Sequence, residues 1–269
     1  MTGELSSTAL TGDRPDMAVG EAAHPLHHVL PHLARDLHFF RAPTVSALGS
    51  CAGFALSLIA ANERPGFVFW LSHSYVSGEA GNIYGLGLNE LVFDPAKFIY
   101  VSVPSVRDVF WCIEQAIKCE AVAAIVAEFH STKTLELTAT RRLSIRIEAL
   151  QLPIYLIAAQ TAPFPTTALT HWEISAASAS TGSEFRSLVG APAWSLNLTK
   201  NKKGSCREFR AAFDIQRRAF VPLGTSKRAR SVAMPQAGPA LEEGRGIEPV
   251  VVRLAAERRR AQERLWERR

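Results

Sequence analysis

The sequence is poor in the residues that mark several protein classes. Only four of its 269 residues are cysteine, and no two of them form a C-x-x-C pair. A disulfide framework and a structural zinc site are therefore excluded, and we expect reduced thiols in a cytoplasmic protein. The amino terminus lacks the basic start and apolar run of a signal peptide, and we expect none of the apolar stretches to span a membrane.

Lysine is missing from the first 96 residues, and no Gly-Lys pair occurs anywhere in the chain. A phosphate-binding P-loop has the pattern G-x-x-x-x-G-K-[ST], because backbone N–H groups cradle the phosphates while the lysine neutralises them and the hydroxyl holds magnesium. The G-x-S-x-G turn of serine hydrolases is absent as well. The sequence therefore contains neither the motif for nucleotide hydrolysis by a P-loop nor the motif of serine hydrolases.

The formal charge of +5 is distributed unevenly along the chain. Residues 1–199 hold 12 basic and 17 acidic side chains, whereas residues 200–269 hold 18 basic and 8 acidic ones. We predict a basic interaction tail on a mildly acidic body. The composition divides the chain into a disordered leader, an α/β domain, a Pro/Gly-rich linker and a basic charged helix or tail, at residues 1–23, 24–220, 221–249 and 250–269.

The body alternates apolar runs with helical patterns, which indicates a mostly parallel sheet. Buried strands are predicted at 67–71, 98–103, 121–127 and 153–157. Helices are predicted at 54–61, 106–119 and 134–150, the second with Ser105 as its N-cap. Residues 24–38 have near-helical spacing that Pro31 weakens, and a glycine-containing turn is expected at 47–53.

Beyond residue 170 the pattern changes to alternating apolar and polar residues. Segments 171–174, 194–198 and 207–213 alternate in this way, and Asn201–Lys202–Lys203–Gly204 has the composition of a hairpin turn. We therefore expect an antiparallel hairpin extension at the edge of the sheet. Trp111, Trp172 and Trp194 fall on apolar faces and are predicted to lie in the core.

Over residues 40–215 the sequence resembles RecA-like recombinase cores, and more narrowly the ImuA family of bacterial damage-induced mutagenesis. The resemblance rests on residues 84–88 (YGLGL), 104–111 (PSVRDVFW), 135–143 (LELTATRRL) and 194–204. It implies a RecA-like α/β fold in a bacterial, cytoplasmic protein. It also implies partners of the SOS response: a Y-family polymerase-like protein of the ImuB kind, an error-prone DNA polymerase III alpha-type subunit, and RecA itself.

The resemblance also implies a degenerate nucleotide site. The turn that would correspond to the P-loop contains Gly49, Ser50, Cys51 and Gly53, without the lysine. Glu128 follows the third predicted strand, where a magnesium-contacting acid is expected. Ser72 and His73 stand where a RecA-like catalytic glutamate would be. We therefore expect no ATP hydrolysis and no cofactor, with ATP binding without turnover left open.

Basic residues beyond Thr199 are candidates for weak, sequence-independent contact with DNA or for contact with a partner protein. In the body and the linker they are Lys200, Lys202, Lys203, Arg207, Arg217, Arg218, Lys227, Arg228 and Arg230. In the last segment they are Arg258, Arg259, Arg260 and Arg264, together with the aromatic Trp266. The histidines at 24, 27, 28, 32 and 38 include i,i+4 pairs that suit zinc, but the ligand set is incomplete and we predict no metal.

The function that these features favour is that of a non-catalytic adaptor in error-prone translesion synthesis. Two alternatives stay open at the level of the sequence. One is an inhibitor of cell division of the SulA kind, a second RecA-related branch. The other is a RecA-like DNA-dependent ATPase with an unrecognised nucleotide loop, against which the missing lysine argues.

Overall fold

The computed structural model describes residues 25–91, 93–129, 137–159, 165–178 and 190–223. Within them the chain folds around one mixed sheet of nine strands in the order β3-β2-β4-β5-β1-β6-β7-β8-β9. The strands are β1 Leu37–Ala42, β2 Phe67–His73, β3 Phe98–Val103, β4 Val122–Phe129, β5 Ile154–Ala159, β6 Thr170–Ala176, β7 Ala193–Asn201, β8 Glu208–Asp214 and β9 Ala219–Pro222. The helices are α1 Pro25–Leu33, α2 Leu48–Asn62, α3 Ser74–Ala80, α4 Gly85–Glu90, α5 Val106–Ala116 and α6 Leu137–Glu148.

The first six strands in this order pair in parallel, and the remaining three pairs are antiparallel. The predicted α/β class, with a mostly parallel sheet and an antiparallel extension at its edge, is thereby confirmed. All eight residues of β4 are buried, because helices cover both faces of the parallel block. Helix α2 packs on β5, β1 and β6, whereas α5 packs on β2, β4 and β3.

The antiparallel extension is covered on one face. Along β6, buried residues alternate with partly exposed ones, so that Trp172 and Ile174 face the α2 layer while His171 and Glu173 lie on the other face. Phe54 of α2 joins the two parts, since its ring lies 5.6 Å from that of Trp194 and 5.5 Å from that of Phe220. These aromatic contacts connect the parallel block to the last strand.

The central strand β1 contains a buried histidine whose hydrogen bonds are all satisfied. His38 is fully buried, and its Nε2 donates to the carbonyl oxygen of Arg35 at 2.6 Å. Its Nδ1 then accepts from the Thr170 hydroxyl at 2.7 Å, and that hydroxyl oxygen accepts from Trp172 Nε1 at 2.8 Å. Burial lowers the pKa of His38 to about 4, so the ring is neutral at physiological pH.

Several local predictions are confirmed, and three are wrong. Ser105 caps α5, since its hydroxyl accepts from the backbone N–H of Asp108 at 3.2 Å. The helical spacing predicted for residues 24–38 ends too late: α1 stops at Leu33, and residues from Leu37 onward form β1. The turn predicted at 47–53 is part of α2. Trp111 is 41% exposed instead of lying in the core.

One apolar segment is as long as a membrane span. Residues Val45–Asn62, which comprise α2 and the turn before it, are long and apolar enough to cross a membrane by length and composition, with a mean hydropathy of 1.5. Half of this segment is buried inside the protein, where α2 packs against the sheet. Its hydrophobicity is thus accounted for by its place in the core.

Gly66, immediately before β2, can be replaced only at the cost of moving backbone. Its φ is +129°, and a Cβ there would lie 2.4 Å from the carbonyl oxygen of Ala121. We predict that Gly66→Ala lowers the free energy of unfolding by at least about 2 kcal/mol, measured by urea denaturation. The control is Gly78→Ala in α3, where no heavy atom lies within 4 Å of the new methyl group. Equal effects of the two substitutions would contradict the prediction.

Candidate functional site

The glycine-containing segment that the resemblance compares with a P-loop lies in α2, and the connection between β1 and α2 contains no glycine. Strand β1 ends at Ala42, a 3₁₀ turn spans Val45–Ala47, and α2 begins at Leu48. Gly49, Ser50, Cys51 and Gly53 consequently lie within α2. Trp194 supports the helix there, because its Nε1 donates to the carbonyl oxygen of Ser50 at 2.9 Å. This hydrogen bond connects the first turn of α2 to strand β7.

The backbone of this connection lacks the shape of a phosphate cradle. Such cradles aim successive N–H groups at an anion by alternating right- and left-handed conformations. None of the residues that connect β1 to the first turns of α2 has a positive φ. Among the described residues a positive φ occurs at six other positions: Asp36, Glu63, Gly66, Gly81, Gln151 and Arg218. The first lysine of the chain, Lys97, precedes β3. The β1–α2 connection therefore has neither the lysine nor the left-handed backbone positions of a P-loop.

Glu128 lies at the carboxyl end of the parallel strands, where ligands bind in open α/β sheets. It is 8% exposed, and Trp70 Nε1 of neighbouring β2 donates to its Oε2 at 2.9 Å. Burial raises the pKa of Glu128 to about 6, although hydrogen bonds from Trp70 and Ser72 favour the ionised form. No lysine or arginine of the described chain forms an ion pair with this carboxylate.

Further polar side chains surround this carboxylate on the α2 side of the sheet. The Tyr100 hydroxyl on β3 donates to Asn82 Oδ1 at 2.7 Å, and burial raises the pKa of Tyr100. The Cys51 thiol on α2 is buried, and burial together with the charge of Glu128 raises its pKa. We call Cys51, Trp70, Ser72, Tyr100 and Glu128 the carboxyl-edge cluster.

Sequence reasoning identified Cys51 and Glu128 and singled out Ser72 as the residue in place of a catalytic glutamate, but it missed Trp70 and Tyr100. A signal was available, because residues two apart in a strand share a face. Trp70 and Ser72 are so spaced on β2, and Ser72 lies directly opposite Glu128 in the register. The pairing of β2 with β4, which places them together, cannot be deduced from the spacing within either strand.

The chemistry available to the carboxyl-edge cluster is limited. It offers one carboxylate of raised pKa, two hydroxyls and one thiol that burial keeps protonated. Within the described ranges there is no group of three His, Cys, Asp or Glu side chains that could hold a metal ion. Phosphoryl transfer needs cations around the phosphates and a positioned base. Among the described residues, the cluster contains one carboxylate and no cation.

The structure gives the predicted basic residues separate partners. Lys200 and Lys202 donate to the carbonyl oxygens of Thr166 and Thr167. Lys203 pairs with Asp36 at 3.5 Å. Arg217 pairs with Asp214 at 3.6 Å, Arg218 pairs with Glu63 at 2.6 Å, and Arg207 is exposed. The other basic candidates, together with Trp266, lie outside the described residues: Lys227, Arg228, Arg230, Arg258, Arg259, Arg260 and Arg264.

The predicted histidine group is divided between two elements. Helix α1 contains His27, His28 and His32, whereas His38 lies on β1 and its ring is hydrogen-bonded to the Thr170 hydroxyl. His24 lies outside the described residues.

Comparison with known proteins adds no relative to these observations, since no family model and no curated protein matches the chain. The fold and the site therefore define a class: a mixed α/β protein with one buried acid at the carboxyl edge of its parallel strands and no glycine in its β1–α2 connection.

If Gly49 is an ordinary helix residue, replacing it with alanine should stabilise the protein. No heavy atom lies within 4 Å of a Cβ at this position, and the helical backbone there favours alanine. We predict that Gly49→Ala raises the free energy of unfolding by about 0.5 kcal/mol in urea denaturation. A phosphate loop would respond in the opposite way, so a clear loss of stability would contradict this assignment. Gly53→Ala, whose methyl group would lie 3.6 Å from Trp194 Cζ2, is the second position to compare.

Removing the ionisable group of Glu128 tests its burial. Because its folded-state pKa of about 6 exceeds the ordinary 4.5, ionisation costs stability as the pH rises from 4.5 to 6. Glu128→Gln keeps an acceptor for Trp70, and we predict that it raises the free energy of unfolding at pH 7.5 by roughly 2 kcal/mol, with the gain shrinking toward zero below pH 4.5.

The control for this prediction is Glu120→Gln, at an exposed position. Urea denaturation across the pH range should show no pH-dependent difference for that variant. A loss of stability in Glu128→Gln that is the same at pH 4 and pH 7.5 would show that the charge is not the source of the effect.

Proposed function

We propose that this chain is a RecA-related, non-catalytic adaptor that acts in DNA-damage-induced, error-prone translesion synthesis in the bacterial cytoplasm. The observation that carries the proposal is the β1–α2 connection, which has neither glycine nor lysine and no left-handed residue. A chain that presents the scaffold of a nucleotide-binding sheet without its phosphate loop is suited to binding proteins rather than to turning over ATP.

The arrangement of elements is compatible with the RecA-like part of the proposal. Strand β1 of the parallel block leads through a short turn into the core helix α2, and the acid Glu128 lies near the carboxyl end of β4, which is separated from β1 by β5. The β7–β8 hairpin with the turn Asn201–Gly204 lies beyond the parallel block. Of these segments, the hairpin turn lies within residues 194–204, one of the four stretches in which the sequence resembles ImuA.

The surface that we assign to the polymerase-like partner is formed by α3 and α4. Three large side chains are exposed there: Tyr75 at 48%, Tyr84 at 65% and Leu86 at 51%. Tyrosines are enriched among the residues that dominate protein–protein binding energy. We call these three residues the α3–α4 patch, and propose that it contacts an ImuB-like Y-family protein, which in turn brings the DNA polymerase III alpha-type subunit.

The first test separates adaptor from enzyme. We predict that the purified chain shows no ATP turnover above background, with or without single-stranded DNA, and that Glu128→Ala leaves this unchanged. The physical reason is that several groups which hold and polarise the phosphates are missing at once. DNA-stimulated turnover that disappears in Glu128→Ala would support the ATPase alternative and overturn the proposal.

The second test identifies partners by affinity purification from DNA-damaged cells, followed by mass spectrometry. The full chain is expected to recover a Y-family-like protein, and Tyr84→Ser with Leu86→Ser to recover it at least tenfold less. The matched control is Ile145→Ser on α6, a residue that is 65% exposed and lies outside the α3–α4 patch.

A chain truncated after Leu223 shows whether the basic tail is needed for this recovery. The cut must follow Leu223, because its backbone N–H donates to the carbonyl oxygen of Arg210 at 2.8 Å. Recovery of a cell-division protein instead, with filamentous cells on overexpression, would favour the SulA-like alternative. Recovery of neither class from cells that express both would overturn the adaptor proposal.

A further inference from the structure

A cleft of about 460 Å³ lies on the face of the sheet opposite α2, away from the carboxyl-edge cluster. It opens where β6 and β7 continue the sheet beyond β1, whose face is covered by α6. This volume is within the range of small-molecule sites. The described residues that line it are Phe39, Arg41, Pro165, His171, Trp172, Thr199 and Lys200.

The charged groups of the cleft are mostly cationic. Arg41 enters from β1 and pairs with Glu173 of β6, while Lys200 enters from β7 beside Lys202. Two cations, Arg41 and Lys200, thus line the cleft, with Lys202 and the carboxylate of Glu173 beside them. The pKa of His171 reflects the excess, since burial and then the charges of Lys200 and Lys202 lower it to about 4.

Hydrogen-bond donors are available toward the cleft. The Lys200 ammonium group has three protons, and the described contacts use one, which bonds to the carbonyl oxygen of Thr166 at 2.6 Å. Burial lowers the pKa of Lys200, which shows that its charge is partly desolvated. A partly desolvated cation interacts more strongly with an anion than one in water does.

The floor of the cleft is apolar and aromatic. Phe39 is buried, and its ring centroid lies 5.3 Å from that of His171. The cleft thus combines a cationic rim from two strands with an apolar base. A carboxylate would satisfy one cation, whereas a phosphate monoester carries nearly two negative charges and three acceptor oxygens.

We propose that this cleft binds a small phosphate monoester, with Lys200 and Arg41 contacting the phosphate and the aromatic floor formed by His171 and Phe39 contacting the organic group. The inference does not depend on the function proposed above, because it uses the opposite face of the sheet and none of the same residues. The guanidinium of Arg41 matches the geometry of phosphate oxygens, and its present partner Glu173 is partly exposed and can turn toward water.

The test is calorimetric titration of the full chain with phenyl phosphate and, separately, with inorganic phosphate. Phenyl phosphate is expected to bind with a Kd below about 1 mM, and at least several-fold more tightly than inorganic phosphate, because only the ester reaches the apolar floor. Equal binding of the two probes would overturn the assignment of Phe39 and leave an unspecific anion effect as the explanation.

The variant Lys200→Met is expected to weaken phenyl phosphate binding at least tenfold. The matched control is Lys203→Met: this lysine belongs to the same hairpin, but it pairs with Asp36 and does not line the cleft. Its Kd should stay within twofold of the unmodified chain. Arg41→Lys, which keeps the charge and loses the planar fork, provides a second variant if Lys200→Met does not fold.

Two results would overturn the proposal. One is the absence of binding with phenyl phosphate up to about 10 mM. The other is an equal loss in Lys200→Met and Lys203→Met, which would indicate a general effect of charge. An oligonucleotide without a terminal phosphate that binds where phenyl phosphate does not would reassign the lysine to contact with nucleic acid.

Discussion

The architecture depends on the pairing of β1 with β6, and the hydrogen bond between His38 and Thr170 satisfies polar groups buried at that junction. His38 lies on β1, which pairs with β5 on one side and with β6 on the other. A charged ring could not be held in this dry position without a large cost. A chain of hydrogen bonds runs from Trp172 through Thr170 and His38 to the Arg35 carbonyl oxygen. In this chain both ring nitrogens of His38 have a partner while the ring stays neutral. The parallel block and the antiparallel extension can therefore share one continuous core.

This junction also explains where the two candidate sites lie. On the α2 side the core runs without interruption from the parallel strands into β9, so the carboxyl-edge cluster is enclosed and nearly dry. On the other side α6 covers β1, while the outer face of β6 and β7 carries polar side chains such as His171 and Thr199. One sheet thus provides a buried acid on one face and a cationic cleft on the other.

The strands best predicted from the sequence are those with continuous apolar runs. The boundaries predicted for β3 are those observed, and β4 and β5 differ by one or two residues at each end. The sequence pattern failed at β1, because His38 and Arg41 interrupt its apolar character, and their side-chain partners Thr170 and Glu173 lie on β6, far along the chain. The sequence pattern was also insufficient at the carboxyl-edge cluster. Glu128 could be singled out by its position at the end of a predicted strand, whereas its hydrogen bond to Trp70 joins residues 58 positions apart in the chain.

The position of β1 has a consequence for synthesis on the ribosome. Its neighbour β6 follows much later in the chain, and the contact between His38 and Thr170 spans 132 residues. At about 5–20 residues per second, β1 waits on the order of ten seconds before its second edge can be paired. During that time Phe39 and Phe40 have an unpaired strand edge beside them, the kind of surface on which nascent chains associate. Folding is thus expected to complete late, and chaperone binding should concentrate on chains stalled between residues 42 and 170.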